Sequence, residues 1–420
     1  MEIETLKKSH LKRNIIIGIV IVAIISAIIL TFTRAKYRTT QSIPLVNGTI
    51  NYSLADLNVV ALYINGEEAT KLDNTKQYTL DTSKSTCTYK DGSKISNLAL
   101  NYDSKTGGLS ISPFTTKGTK CTLYFNESKG RTMLDIITND YSQSTRSNFG
   151  SAYTTSHTKQ VFTTTDWEGT SYYFAGAPTD NWVYFGGFYW RIIRVNGDGS
   201  TRLLYNGTTT GATGSGTLTK TSQQFNSSYN RSEYVGLKYT SGQQHGQNSN
   251  STILTELNSW YTSSNLDDHA SHIDTNIGFC SDRNMASGYS WSSQPSSNIY
   301  YAARERIATN QNPSLACSSN DIVKVPVGLL TADEAMFGGV SWSGNATGNY
   351  LINGQNYWTM SPYNFNATNS YASVFYVNSN GSLSSNGVRN SRGVRPVINL
   401  KADTKFEGSG TSSDPFTVVE

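Results

Sequence analysis

Asn181-Trp-Val-Tyr-Phe-Gly-Gly-Phe-Tyr-Trp-Arg-Ile-Ile-Arg-Val195 decides the fold class. Aromatic and β-branched residues fill both halves, the composition of strands rather than helices. Gly186-Gly187 sits at the centre, and a two-residue hairpin loop needs two residues that tolerate positive φ. The stretch therefore predicts an antiparallel strand pair. Asn196-Gly-Asp-Gly199 then turns the chain into a third strand, Ser200-Thr-Arg-Leu-Leu-Tyr205. Composition extends this reading to the whole chain. Of 420 residues only 15% are charged, against the roughly 25% usual in soluble proteins. Ser, Thr, Asn and 26 Tyr stand in their place, which describes a β-rich protein with neutral polar faces.

The N-terminus carries a different signal. Ile15 to Phe32 is an apolar run without a charge. At ~1.5 Å per residue it is long enough to cross a bilayer core. A cleaved signal peptide is the alternative, but the run is longer than a usual h-region and Thr33-Arg-Ala-Lys36 offers no A-x-A site. The expectation is a cytoplasmic tail at 1–14 and an uncleaved transmembrane helix at 15–33, with the remainder extracellular at a plasma membrane. Residues 1–38 hold seven Lys/Arg and two Glu, which leaves residues 39–420 at −1. No basic surface remains for nucleic acid.

Residues 39–128 read as a β-sandwich of immunoglobulin-like type. Asn58 to Ile64 is a strand, Asn65-Gly66 a hairpin signal, and Leu109 and Ile111 alternate with Ser110 and Ser112. Residues 129–160 read as a linker: Thr132-Met-Leu-Asp-Ile-Ile137 has the pattern of a short helix, and Tyr141 to Lys159 is Ser/Thr-rich without periodicity. A second domain follows over 161–402, with a β tail at 403–420. Within it, 206–250 reads as a polar surface excursion. Ser251 can cap a helix with Ile253, Leu254 and Leu257 on one face. Thr331-Ala-Asp-Glu334 has the pattern of a capping box.

Cys87, Cys121, Cys280 and Cys317 fall two to each domain. Of three connectivities, Cys87–Cys121 with Cys280–Cys317 is the simplest. Free thiols and zinc are the alternatives, and zinc lacks both a C-x-x-C and a nearby His. Asp267, Asp268, His269, His272 and Asp274 form the one titratable cluster with histidine, read as a solvated loop rather than a metal site. Gly339-Val-Ser-Trp-Ser343-Gly falls short of a nucleophile elbow, and Asn196-Gly-Asp-Gly199 lacks most ligands of a calcium loop. No catalytic residue, metal or cofactor is expected.

Three segments occur in an informative order: Tyr189-Trp190-Arg191-Ile192-Ile193, Tyr357-Trp358-Thr-Met-Ser361-Pro362 and Gly393-Val394-Arg395-Pro396-Val397-Ile398. Together they resemble the end of the C-type-lectin-like fold, in the branch that holds formylglycine-generating enzymes and retroelement variable proteins. The whole chain is also similar to N-terminally anchored surface proteins of Gram-positive bacteria. The resemblance implies an irregular α+β domain in which Trp190, Trp358, Gly393 and Arg395 are structural. The chain departs from that pattern in two ways: no Cys follows Cys317, which leaves oxidase chemistry nothing to run on, and a calcium-dependent sugar loop of E-P-N or Q-P-D type is missing.

The expected function is non-catalytic, adhesin-like binding of an extracellular glycan or protein. A spacer without ligand and an envelope hydrolase are the competing readings. The expected ligand face lies between Tyr357 and Arg395: Tyr363, Asn364, Asn366, Asn369, Tyr371, Tyr376, Asn378, Asn380, Asn386, Arg389 and Asn390. Tyr supplies contact area at little entropic cost, and Asn both donates and accepts.

Overall fold

The computed structural model describes residues 43–44, 57–73, 76–103, 108–112, 119–128 and 130–419. The expected membrane helix lies outside them. Among the described residues no helix is long and apolar enough to cross a membrane. The chain divides into two units, Met1–Ser128 and Lys129–Glu420. Strands dominate both, with few helices.

In the first unit, Thr119–Ser128 is the central strand. Leu57–Ile64 runs parallel to it, while Gln77–Leu80 and Thr86–Thr88 pair antiparallel. Asn65 and Gly66 take φ of 53° and 90° and join Leu57–Ile64 to Glu67–Ala69, the two-residue hairpin that the sequence signals. Ile43–Pro44, Gly108–Ser112 and Ala99–Asp103 form a second sheet. Leu62, Tyr78, Leu109, Leu123 and Phe125 are buried between them. Cys87 and Cys121 are bonded and stand directly opposite one another on neighbouring strands, with Cα atoms 4.2 Å apart. The bridge therefore staples one sheet, unlike the inter-sheet bridge of antibody domains.

The second unit holds an eleven-stranded and a six-stranded sheet among its described residues. In the first, Gly186 and Gly187 at φ 59° and 81° close the hairpin of Trp182–Phe185 with Phe188–Val195. Thr201–Tyr205 adds to Phe188–Val195 and pairs in turn with Pro396–Leu400. The smaller sheet runs in the order Lys220–Gln224, Ser391–Val394, Tyr357–Asn366, Tyr371–Val377, Leu383–Gly387, with Ile299–Tyr300 on Tyr357–Asn366. Cys280 is bonded to Cys317 across 5.8 Å between Cα atoms. Two disulfides fit an extracellular, oxidising setting.

Three expectations on boundaries need correction. Residues 129–160 are not a linker. The short helix expected from Thr132 to Ile137 is present as Met133–Asp140, capped by Thr132, and it packs into the fold by burying Met133, Ile136 and Ile137. Ser142–Ser144 runs parallel to Gln160–Thr165, and the Tyr141 hydroxyl donates to the Asp180 carbonyl at 3.0 Å. Backbone pairing holds this segment, which needs no side-chain periodicity. Residues 403–420 likewise belong to the large sheet: Lys405–Glu407 and Phe416–Val418 pair with each other and with Arg131–Thr132 and Trp182–Phe185. The stretch 206–250 is not a surface excursion either. Phe225, Val235 and Leu237 are wholly buried in it, and Lys220–Gln224 is a sheet strand.

Candidate functional site

The site rests on a buried charge network. Thr331 and Glu334 form a true capping box on Ala332–Phe337. The Glu334 carboxylate accepts the Thr331 N–H through Oε2 at 2.9 Å. Its Oε1 accepts from Arg202 Nη1 at 2.5 Å and Arg194 Nε at 3.2 Å. Arg194 also pairs with Asp166 at 2.5 Å, and all four side chains are buried. Burial alone pushes the Glu334 carboxyl up. The guanidinium groups of Arg202 and Arg194 outweigh it and hold the pKa at about 2. Arg306 lies beside them, bound to Asp333 at 2.9 Å and Asp282 at 2.5 Å. Burial opposes its charge, yet the two carboxylates hold its pKa above the ordinary value. The cleft between these groups offers about 10 Å³ to solvent, room for about one water. Each of these carboxylates is committed to a guanidinium, so none is placed as a general base.

The network reaches the six-stranded sheet through Ser361, whose Oγ accepts the Ala332 N–H at 2.9 Å. That bond ties the Trp358-Thr-Met-Ser361-Pro362 segment to the first turn of the helix and fixes the strand beside it. Trp358 is buried and donates from Nε1 to the Gln223 carbonyl at 2.7 Å. Trp190 is buried with Nε1 on the Phe185 carbonyl at 3.0 Å. A Cβ on Gly393 would stand 2.6 Å from Leu218 Cδ1 and 3.0 Å from the Asn356 carbonyl oxygen. Arg395 is buried and donates to neutral acceptors, the carbonyls of Tyr205 and Leu351 and Asn206 Oδ1, at 2.7–2.8 Å.

Register shows that the eleven expected ligand residues do not share one face. Cross-strand partners point to the same side of a sheet. Tyr376 pairs with Trp358 and Ser384, and Val374 with Asn386, so Tyr376 and Asn386 stand on the same side of the sheet as Trp358. Tyr371 pairs with Asn366, Ser373 with Asn364, and Tyr300 with Asn364, which puts Asn364, Asn366 and Tyr371 on the opposite side. Several Asn residues build turns. Asn366 Oδ1 accepts the Asn369 N–H at 3.0 Å, and Asn380 Oδ1 accepts from the Ser382 N–H at 3.0 Å and the Ser382 hydroxyl at 2.9 Å. Asn378 donates its N–H to the Ser382 carbonyl at 2.8 Å. Asn390 Nδ2 donates to Asn386 Oδ1 at 2.6 Å. Arg389 lies 4.6 Å over the Tyr229 ring, on a different part of the sheet from Tyr363.

Tyr363 joins aromatic residues that the sequence pattern does not single out. The register shift between Pro362 and Asn364 turns it onto Phe375, edge-on at 5.1 Å. Trp342 stacks on it at 5.9 Å with rings 12° apart. Tyr300 meets it edge-on at 6.5 Å, and Tyr289 meets Tyr300 at 5.1 Å. The Arg304 guanidinium covers Tyr300 at 4.1 Å. Tyr289 is 38% exposed; Tyr300, Tyr363, Trp342 and Arg304 are half-buried. The result is a surface ribbon of rings, with Asn364, Asn366 and Tyr371 on the same side of the sheet. Tyr289 and Trp342 sit in Ser/Gly-rich segments, where aromatic residues in a polar stretch are the one sequence signal.

The His269 and His272 rings flank Phe185 at 5.3 and 6.2 Å. Among the described residues no group of three His, Cys, Asp or Glu is placed to hold a metal ion. The Asn196-Gly-Asp-Gly199 segment is a hairpin turn closed by Asn196 N–H to the Ser200 carbonyl at 2.8 Å.

No curated protein and no solved structure matches the chain. Residues 279–402 match a family model described as a domain of unknown function, DUF6273, a span that takes in the aromatic ribbon, Glu334 and the Cys280–Cys317 bridge.

Proposed function

We propose that the chain is a membrane-anchored cell-surface binding protein, non-catalytic, that recognises an extracellular glycan or protein. In this reading Ile15 to Phe32 is the anchor, the first unit an immunoglobulin-like sandwich, and the second a C-type-lectin-like domain that carries the ligand face. The observation that supports it best is the ribbon Tyr289–Tyr300–Tyr363–Trp342. Half-exposed aromatic rings that are already packed against one another lose little freedom when a partner covers them, and such residues concentrate in binding surfaces. The ribbon, rather than the whole Tyr357–Arg395 segment, is the face of this reading, with Asn364, Asn366 and Tyr371 beside it. A spacer without ligand is the competing reading.

The test uses cells that display the full chain. Tyr289→Ser with Tyr300→Ser removes the exposed end of the ribbon and leaves the Tyr363–Trp342 stack in place. Adherence to immobilised host glycoproteins should fall at least tenfold at equal surface display. Undiminished adherence of the double variant would exclude the ribbon and favour the spacer.

A further inference from the structure

A second recognition site lies away from the ribbon, between the Thr252–Ser263 helix and the Lys220–Gln224 strand. The two elements and the Lys238–Tyr239 and Ser249–Asn250 strands leave an open cleft of about 370 Å³. That is within the roughly 300–1,000 Å³ of small-molecule clefts. Its lining is unusual because aliphatic side chains are absent from it. Thr252, Thr255 and Ser259 form the helix wall, Gln223 and Asn226 the strand wall, and Tyr239 the one ring.

The chemistry of the lining narrows the ligand. Glu256 is its one charged residue, and Lys220 pairs with it at 2.6 Å. The cleft thus offers little field to a phosphate or a free cation. Its apolar surface is limited to the Tyr239 ring and the methyl and methylene groups of polar side chains, which gives a lipid or a hydrophobic peptide no continuous aliphatic floor. The helix hydroxyls spend their hydrogens inside the protein: Thr252 on Ser227 Oγ at 3.1 Å, Thr255 on the Ser251 carbonyl at 3.2 Å, Ser259 on the Thr255 carbonyl at 3.0 Å. The oxygens of Thr255 and Ser259 keep their lone pairs as acceptors, and Thr252 Oγ1, which already accepts the Ser227 N–H at 2.8 Å, keeps one. From Thr252 to Ser259 this row runs about 10 Å at ~1.5 Å per residue. Opposite it stands a donor in need of a partner. Asn226 is 2% exposed and its Nδ2 makes no hydrogen bond among the described residues. A buried polar group left unpaired is costly, and because Asn226 lines the cleft, a small turn of its side chain brings Nδ2 to a ligand oxygen.

We infer that this cleft binds a short, uncharged oligosaccharide. Sugar hydroxyls donate to the row of helix oxygens, a ring or hydroxyl oxygen accepts from Asn226, and the apolar face of a pyranose lies on Tyr239. The site shares no residue with the ribbon, so the two readings stand or fall separately.

The intact chain, held in a detergent without a sugar headgroup, is titrated with maltotriose, cellotriose and triacetylchitotriose by calorimetry and saturation-transfer NMR. Trigalacturonate is the charged control. At least one neutral trisaccharide should bind with a Kd of millimolar or better, and the uronate at least tenfold more weakly. Thr255→Arg fills the cleft from an exposed helix position, and Arg is well tolerated in a helix. It should weaken binding at least tenfold with an unchanged thermal midpoint; Tyr239→Ala should weaken binding as much, with some loss of midpoint because Tyr239 packs on Tyr234. Tyr289→Ser with Tyr300→Ser should leave it unaltered. Failure of all three sugars to bind overturns the inference, as does binding that survives Thr255→Arg. Loss of binding in the ribbon variant alone would move the sugar to the ribbon and equally overturn it.

Discussion

Glu334→Gln is the substitution that loads the buried network most directly. Glu334 is the shared counter-ion of Arg194 and Arg202, and all three side chains are 1% exposed. The change removes one negative charge and leaves two buried guanidinium groups with Asp166 alone. Removal of one partner from a buried pair costs roughly 3–5 kcal/mol. The lowered pKa of Glu334, which the same two guanidinium groups cause, leads to a figure of similar size. Its pKa lies at about 2 in the fold against an ordinary 4.5, and at 1.36 kcal/mol per unit this amounts to about 3 kcal/mol. The pKa is lowered by folding, so the contribution is complete above pH 4.5 and is lost as pH falls toward 2. Gln still reaches the Thr331 N–H as a capping-box residue, so helix capping is retained and the loss is electrostatic. Urea unfolding followed by tryptophan fluorescence reads this unit alone, because all seven Trp lie between residues 167 and 358. At pH 7 the variant should lose ~3–5 kcal/mol, and its stability should fall less steeply than wild type between pH 4.5 and 2. A loss under about 1 kcal/mol, or an unchanged acid limb, would refute the reasoning.

Arg395→Ala should destabilise the second unit by roughly 3 kcal/mol or more, because it strands three buried acceptors that each cost about 1–3 kcal/mol unpaired; the same urea assay reads it, and a loss below about 1 kcal/mol would contradict the packing. Gly393→Ala should cost roughly 1–3 kcal/mol through overpacking against Leu218 and the Asn356 carbonyl, and an unchanged urea midpoint would show that the neighbours give way. Cys87→Ser with Cys121→Ser should lower the stability of the first unit by roughly 3–4 kcal/mol on the chain-entropy estimate for a 34-residue separation. Hydrogen exchange of the Thr119–Ser128 strand measures it, with Trp fluorescence of the second unit as the unaffected control.

Local chemistry was legible in the sequence wherever a few adjacent residues settle the conformation. Asn65-Gly66 and Gly186-Gly187 are hairpin loops because few other residues take two successive positive φ values at so little cost. Thr331 and Glu334 cap a helix because their side chains reach one another's backbone three residues away. Both Cys pairs follow from their distribution along the chain. Tertiary structure alone decided the rest. The stretch from Tyr141 to Lys159 has no periodic pattern, and only partners such as Gln160–Thr165 and Asp180 show that it is a built part of the fold. The C-terminal strands join the sheet through pairing with Arg131–Thr132 and Trp182–Phe185, far away in the chain. Above all, the Tyr/Asn-rich segment looks continuous in sequence, yet a strand alternates sides at each residue and a bulge resets the alternation. The shifts around Pro362 send Tyr363 to Trp342 and Tyr300, while Tyr376 goes to Trp358 on the opposite face. Which residues stand together is a property of strand register and non-local pairing, and neither is encoded in any short window of the chain.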